Sequence, residues 1–241
     1  MPFSNMTLGQ LSRYLHLPED QVRRLVDRGL IPSRRVGGEL LISKDEVHRW
    51  LERRIGLSDD AELERVERAL DGSVPVGEFE ESVFVSRLFP EGSIIMPLEA
   101  KTRDSAIRSM VQTAMQTGLL WDETAMITAV KEREELHSTA LDNGVAFLHP
   151  RRPMPGILGD TFLSLGVSQN GIPFGGVVGG SGRLTDVFFL ICSTNDRIHL
   201  RILARLSRIL ATNNFLSNLR EIHDENEIRE LIKLAEDSIV E

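Results

Sequence analysis

The chain has 241 residues, with 28 Lys and Arg against 36 Asp and Glu for a formal charge of −8, and is 41% hydrophobic and 27% charged. This is the balance of a globular chain long enough for one large domain or two ordinary ones. One cysteine excludes an intrachain disulfide framework. The apolar runs fall short of the roughly 18 to 20 residues a membrane span needs, and no leader pattern opens the sequence, so a cytoplasmic protein with no membrane partner is expected. Charge is unevenly shared: residues 1–56 hold ten Lys and Arg against seven Asp and Glu, whereas residues 57–241 hold 18 against 29. A positive small part and an acidic large part point to two domains with different partners.

In chain order, Thr7 is placed to cap a first helix with Leu8, Leu11 and Leu15 on one face. Pro18 begins a second helix and Gly29 ends it. There Val22, Leu25 and Val26 form the apolar stripe, and Gln21, Arg24 and Arg28 share the opposite face. Gly37-Gly38 between Arg34-Arg35-Val36 and Leu40-Leu41-Ile42 predicts a tight hairpin. Ser43 can then cap a third helix that sends Val47, Trp50 and Leu51 into the core. Residues 57–86 read as a helical connector, with Leu63, Val66 and Leu70 at helical spacing before the turn-prone "DGSVPVGE".

Leu11, "VRRL" at 22–25, "GLIP" at 29–32, Val36-Gly37-Gly38, Ile42 and Trp50-Leu51 together resemble the excisionase-like, MerR-related winged helix-turn-helix family. The resemblance implies a DNA-binding-like domain over 1–56 with its second helix in a major groove and its hairpin along the backbone. Gln21, Arg24 and Arg28, together with the hairpin's Arg34 and Arg35, would then meet bases or phosphates. Glu39 and Leu41 stand where family wings usually carry arginines, and a carboxylate beside phosphate repels it. A protein-interaction module remains the alternative.

Beyond the connector the pattern alternates. "TRDSAIRSMVQTAMQTG" places Ala106, Ile107, Met110, Val111, Ala114 and Met115 on one helix face and stops at Gly118, and "WDETAMITAVKEREEL" is a second helix. Apolar runs at 145–148, 161–167 and 187–192 are strands, the last holding Cys192 as a buried, inert thiol. Two more helices follow, lined by Ile198, Ile202, Leu203, Leu206 and Leu210, and by Ile228, Leu231, Ile232, Ala235 and Ile239. A mixed sheet covered by helices is expected. The strand at 145–148 must stop by Pro150, which lacks an N–H, so it delivers His149 to a strand end.

"KEREELHSTALDNGVAFLHPR" resembles the active-site segment of the fructose/mannitol and nitrogen-regulatory type of phosphotransferase system enzyme IIA, through Arg133, Glu134, Ser138, Thr139, Asn143, Gly144, Ala146 and His149. "GIPFGG" and "VFFLICSTNDRIHLRILARLSRIL" match its second block, with His199 at the place of the second active-site histidine. Leu148 stands where relatives usually have proline, and His137 where they have glycine. The resemblance implies a larger mixed-sheet α/β sandwich over 87–241, so the whole chain combines α+β and α/β organisation.

It also implies that His149 accepts a phosphoryl group, that His199 orients it or stabilises the incoming oxygens, and that Thr139 and Arg151 assist. Imidazole suits this work because it is a nucleophile near neutral pH and its phosphorylated form stays reactive. No cofactor or metal is expected: His137, His149 and His199 are spaced like no metal motif, and His16, His48 and His223 read as surface or capping residues. The expected partners are the phosphorylated histidine carrier protein as donor, DNA, and a IIB or regulatory protein. The readings left open are a phosphorylated regulator, a IIA carrier serving a IIB partner, and an adaptor that binds without accepting phosphate. Oligomeric state is not legible.

Overall fold

A computed structural model describes residues 5–15, 18–29, 31–43, 46–47, 83–175 and 184–240. The chain divides into two compact units, residues 1–82 with Leu203–Ala211, and Val83–Ile202 with Thr212–Glu241. Trp50, Leu51, His16, His48 and the helix expected at 58–70 within the 57–86 connector lie outside the described residues.

The smaller unit contains β1 (Asn5–Met6), α1 (Leu8–Leu15), α2 (Glu19–Asp27), β2 (Arg34–Val36) and β3 (Glu39–Ser43). Thr7 caps α1 as its sequence position requires: its Oγ1 accepts the Gln10 N–H at 3.3 Å, and the Gln10 side-chain oxygen accepts the Thr7 N–H at 2.9 Å. Gly29 leaves α2 with φ +70°, and Gly37 and Gly38, at +61° and +88°, turn the chain between antiparallel β2 and β3. Glycine takes two successive positive φ values without a Cβ penalty, which is why this dipeptide fixes the hairpin. β1 adds to the far side of β3, with Met6 opposite Ile42, giving the order β1-β3-β2. Two residues carry no readable period, so β1 was not foreseen. Leu11, Val22, Val26, Ile31, Ile42 and Val47 form the buried set. Ser43 is the last residue of β3, and Val47 is helical.

The larger unit runs through a 3-10 turn (Val85–Leu88), β4 (Ile94–Ile95), α3 (Arg103–Gln116), α4 (Glu123–Leu136), β5 (Val145–Leu148), β6 (Phe162–Ile172), β7 (Thr185–Cys192), the first part of α5 (Asp196–Ala211), whose Leu203–Ala211 part is grouped with the smaller unit, α6 (Phe215–Glu221) and α7 (Glu225–Val240). The strands form one sheet in the order β4-β6-β7-β5. β4 is parallel to β6, β6 antiparallel to β7, and β5 parallel to β7 with Val145 opposite Val187 and Leu148 opposite Leu190. The sheet is therefore mixed, as expected, and the paired β5 and β7 end side by side.

On one face Ala146, Leu148, Phe188, Leu190 and Cys192 pack with Ile107, Met110, Val111 and Ala114 of α3 and with Met126 and Val130 of α4. Gly166 makes this closeness possible, since a Cβ there would sit 2.5 Å from the Met110 sulfur. The other face carries Phe147 and Phe189, with ring centroids 5.9 Å apart, and Phe89 at 6.4 Å from Phe189. Buried Glu236 of α7 accepts the Val85 and Ser86 N–H groups at 2.7 and 2.9 Å, and Arg229 reaches the Pro90 carbonyl at 2.8 Å, so α7 is tied to the start of the unit. Burial pushes the Cys192 thiol pKa up, keeping it a protonated core group. In α5 burial extends past the apolar stripe to Arg201, Arg205 and Ser207, so that helix is not simply amphipathic. α6 follows Asn214, at φ +61°, and was not separated from its neighbours in the sequence.

Candidate functional site

The site forms where β5 and β7 end, the end of parallel strands that commonly carries function. Its position depends on the turn before β5. Gly144 has φ +88°, and a Cβ there would meet Arg220 Nη2 and Asp186 Oδ1 at 2.9 Å each. Arg220 clamps that turn: its guanidinium pairs with both Asp186 oxygens at 2.7 and 2.8 Å and donates to the Asn143 carbonyl at 2.8 Å. The Asp186 N–H adds a bond to the Gly144 carbonyl at 2.9 Å, so β5 starts in fixed register with β7.

His149 follows β5 and is 2% exposed. Its Nδ1 lies 2.8 Å from the Phe147 carbonyl oxygen, which can only accept, so the ring proton is assigned to Nδ1. Nε2 is left with a lone pair, and into it Arg133 donates its Nε–H at 3.2 Å. The same guanidinium donates through Nη1 to the His137 carbonyl at 2.7 Å, which holds it at the end of α4. His199, in the first turns of α5, brings its ring centroid to 4.9 Å from that of His149 at an interplanar angle of 53°. The His199 Nδ1 is 3.2 Å from the buried Ser193 hydroxyl, one residue past β7. Beside them the buried Glu134 carboxylate accepts the Thr139 hydroxyl and also its N–H at 3.1 and 3.2 Å. The Thr139 carbonyl in turn accepts the Phe147 N–H at 3.4 Å, joining the loop after α4 to the end of β5.

Two nearly buried imidazoles, one with a fixed tautomer and a lone pair facing a guanidinium, make a nucleophilic nitrogen next to cationic and N–H groups able to receive negative oxygens. Residues 87–235, well over half of the chain, match the family described as phosphoenolpyruvate-dependent sugar phosphotransferase system, EIIA 2. The chain belongs to this family. Residues 6–55 match a helix-turn-helix domain, so an EIIA domain and a helix-turn-helix domain share one chain. Over 150 residues, 61% of the chain, it is 26% identical to the PTS system fructose-specific EIIABC component of Bacillus subtilis (strain 168), spanning 23% of that protein's length. The crystal structure of IIA mannitol from Escherichia coli is similar with a TM-score of 0.52 at 20% identity, covering 58% of this chain and 96% of that one. The nitrogen regulatory protein IIA-Ntr from Neisseria meningitidis gives 0.54 at 16% identity, covering 62% and 99%. These structural likenesses support the IIA-type fold.

Within the EIIA domain the structure brings His149 and His199 together. Thr139 is adjacent through its backbone, but its hydroxyl donates to Glu134. Arg151 is exposed two residues after His149, and the guanidinium on Nε2 is that of Arg133. His137 is exposed with its Nδ1 2.8 Å from the Ser138 carbonyl, and His223 is exposed as well. Among the described residues no group of three His, Cys, Asp or Glu side chains could hold a metal ion, and no helix is long and apolar enough to cross a membrane. Arg133 and Glu134 are matching positions to which the sequence alone assigns no role, and Ser193 carries no signal in it. In the helix-turn-helix domain Arg24 is exposed on α2, Arg28 is exposed just after it, and Arg34 and Arg35 are exposed on β2. Arg24 is engaged by Asp20 one turn back, Nη2 to Oδ2 at 2.6 Å, and Arg23 by Glu19 at 3.4 Å. The Gln21 side chain lies outside the described residues.

Proposed function

We propose that this protein is a cytoplasmic regulator linked to the phosphotransferase system, whose EIIA domain is phosphorylated on His149 and whose helix-turn-helix domain binds DNA. The observation that carries the reading is the pair of bonds on His149: Nδ1 to the Phe147 carbonyl and Nε2 to the Arg133 guanidinium. In transfer, the Nε2 lone pair attacks the phosphorus of a donor phosphohistidine. The new N–P bond forms as the donor's N–P bond breaks, and the electrons of that bond return to the donor ring as its lone pair. The proton on His149 Nδ1 stays in place throughout, and the Phe147 carbonyl offsets the positive charge the ring gains. Arg133 moves its N–H from Nε2 to the arriving phosphoryl oxygens, and His199, whose ring centroid lies 4.9 Å from that of His149, assists. Positioning and charge neutralisation carry most of the catalysis in phosphoryl transfer, which fits a site made of little else.

The donor in this reading is the phosphorylated histidine carrier protein. Thr139 supports the site by fixing the loop after α4, and Arg151 offers positive charge at its rim to a partner. Gln21, Arg24, Arg28, Arg34 and Arg35 are the proposed DNA contacts. A second reading, a carrier that hands phosphate to a IIB protein, is favoured by the likeness to IIA mannitol in its complex with phosphorylated IIB mannitol from Escherichia coli, with a TM-score of 0.50 at 19% identity over 59% of this chain and 95% of that one. The test incubates the full chain with phosphoenolpyruvate, enzyme I and the histidine carrier protein and measures acid-labile phosphate. The wild type is expected to take up one equivalent and a folded His149→Ala variant none. Uptake by that variant would remove His149 from its role.

A further inference from the structure

We propose that Ser193 is a positioning residue that sets the tautomer of His199, presenting its Nε2–H toward the phosphoryl group that His149 receives. The inference rests on the phosphocarrier reading and adds a residue that the sequence did not single out. Ser193 is 1% exposed, and its hydroxyl has one hydrogen-bond partner among the described residues, the His199 Nδ1 at 3.2 Å. Two arrangements satisfy that distance. If Nδ1 carried the ring proton, the hydroxyl would accept it and its own proton would be buried without an acceptor. If Nδ1 carries a lone pair, the hydroxyl donates into it and no donor is left over. Buried donors are seldom left unmade, so the second arrangement is favoured.

The consequence is chemical. A neutral imidazole has one N–H, and fixing the lone pair at Nδ1 puts that hydrogen on Nε2. His199 then offers a donor, and its ring centroid lies 4.9 Å from that of His149. A donor is what negative phosphoryl oxygens require, whereas a lone pair would repel them. The two histidines thus take opposite tautomers from different partners. The Phe147 carbonyl keeps the proton on Nδ1 of His149 and makes its Nε2 the nucleophile. The Ser193 hydroxyl keeps the proton off Nδ1 of His199 and makes its Nε2 the donor. Both partners stand at the ends of neighbouring parallel strands, Phe147 in β5 and Ser193 just past β7.

The test uses the full chain labelled with nitrogen-15 in histidine. Ring-nitrogen chemical shifts give each tautomer directly, before any phosphate is added. His199 is expected to show a bare Nδ1 and a protonated Nε2 in the wild type and in Ser193→Thr, and a mixture in Ser193→Ala. Phosphate uptake by Ser193→Ala is expected to slow roughly tenfold, as when the orienting partner of a working histidine is removed, with Ser193→Thr restoring the rate. A wild-type His199 protonated on Nδ1, or an unchanged tautomer in Ser193→Ala, overturns the proposal even if that variant is slow, because a merely structural defect slows transfer without moving the proton. Failure of the wild type to accept phosphate overturns the phosphocarrier reading, and the tautomer spectra still decide the assignment of Ser193.

Discussion

At His149 the hydrogen bond from Arg133 covers the lone pair that, in the proposed phosphocarrier reading, would attack phosphorus, so the guanidinium would have to slide from Nε2 onto the phosphoryl oxygens during transfer. Removing it exposes the nucleophile but strips the oxygens of a charged donor, and the second effect dominates where negative charge is being received in a water-poor site. Arg133→Ala is expected to fold and to accept phosphate on the order of 100-fold more slowly, with Arg133→Lys intermediate because an ammonium supplies charge without the planar fork. Stopped-time measurements of phosphate uptake check this, and an unchanged rate in Arg133→Ala would contradict it. The two histidines were legible because each sits in a recognisable block of residues. The role of Arg133 was not, since it lies 16 positions before His149 and only the return of β5 past the end of α4 brings the two together. Arg151 drew attention through nearness in the chain, which says little about nearness to a ring nitrogen. Thr139 was found, but its hydroxyl faces a carboxylate that the sequence could not place.

The parallel pair of β5 and β7 is the element that holds the site, and the turn at Asn143-Gly144 sets its register. Gly144→Ala would force a side chain into a positive-φ residue and against the Arg220–Asp186 pair, so a loss of about 1–3 kcal/mol in unfolding free energy is expected, read from denaturant titration. A change below a few tenths of a kcal/mol would mean that the turn does not set the register. The hairpin, the helices at 103–116 and 123–136, β5 and most of β7 were legible from apolar period and turn glycines, whereas β6 runs on to Ile172, beyond the apolar run at 161–167. The two-residue β1 and β4 and the seven-residue α6 are too short to show a period and exist through tertiary pairing. In the helix-turn-helix domain, α2 offers Arg24 already engaged by Asp20, whereas Arg34 and Arg35 stand exposed on the edge strand β2. Arg34→Ala and Arg35→Ala are each expected to flatten the salt dependence of DNA binding by about one unit, and Arg24→Ala by less, because drawing Arg24 to a phosphate leaves a carboxylate beside it. Equal slopes for all three variants would show that the Asp20 pair has no influence.

At the scale of the whole molecule, charge separates with the two matched families: the helix-turn-helix region is the net-positive part, and the rest of the chain is acidic. Phosphorylation would add about −1.5 to −2 charges to the acidic part. For that to regulate, the DNA-bound and unbound states must respond to it differently. Unmodified and fully phosphorylated protein are therefore expected to differ severalfold in DNA affinity at fixed salt; equal affinities would remove the coupling and leave both domains in place. All of this depends on where the phosphate goes. The most direct measurement is nuclear magnetic resonance of the full chain labelled with nitrogen-15 in histidine, after incubation with phosphoenolpyruvate, enzyme I and the histidine carrier protein, locating the N–P bond by phosphorus–nitrogen coupling. The expected result is a single phosphate on Nε2 of His149 with Nδ1 still protonated. Phosphate on Nδ1 of His149, on His137 or on His199, or no phosphate at all, would contradict it.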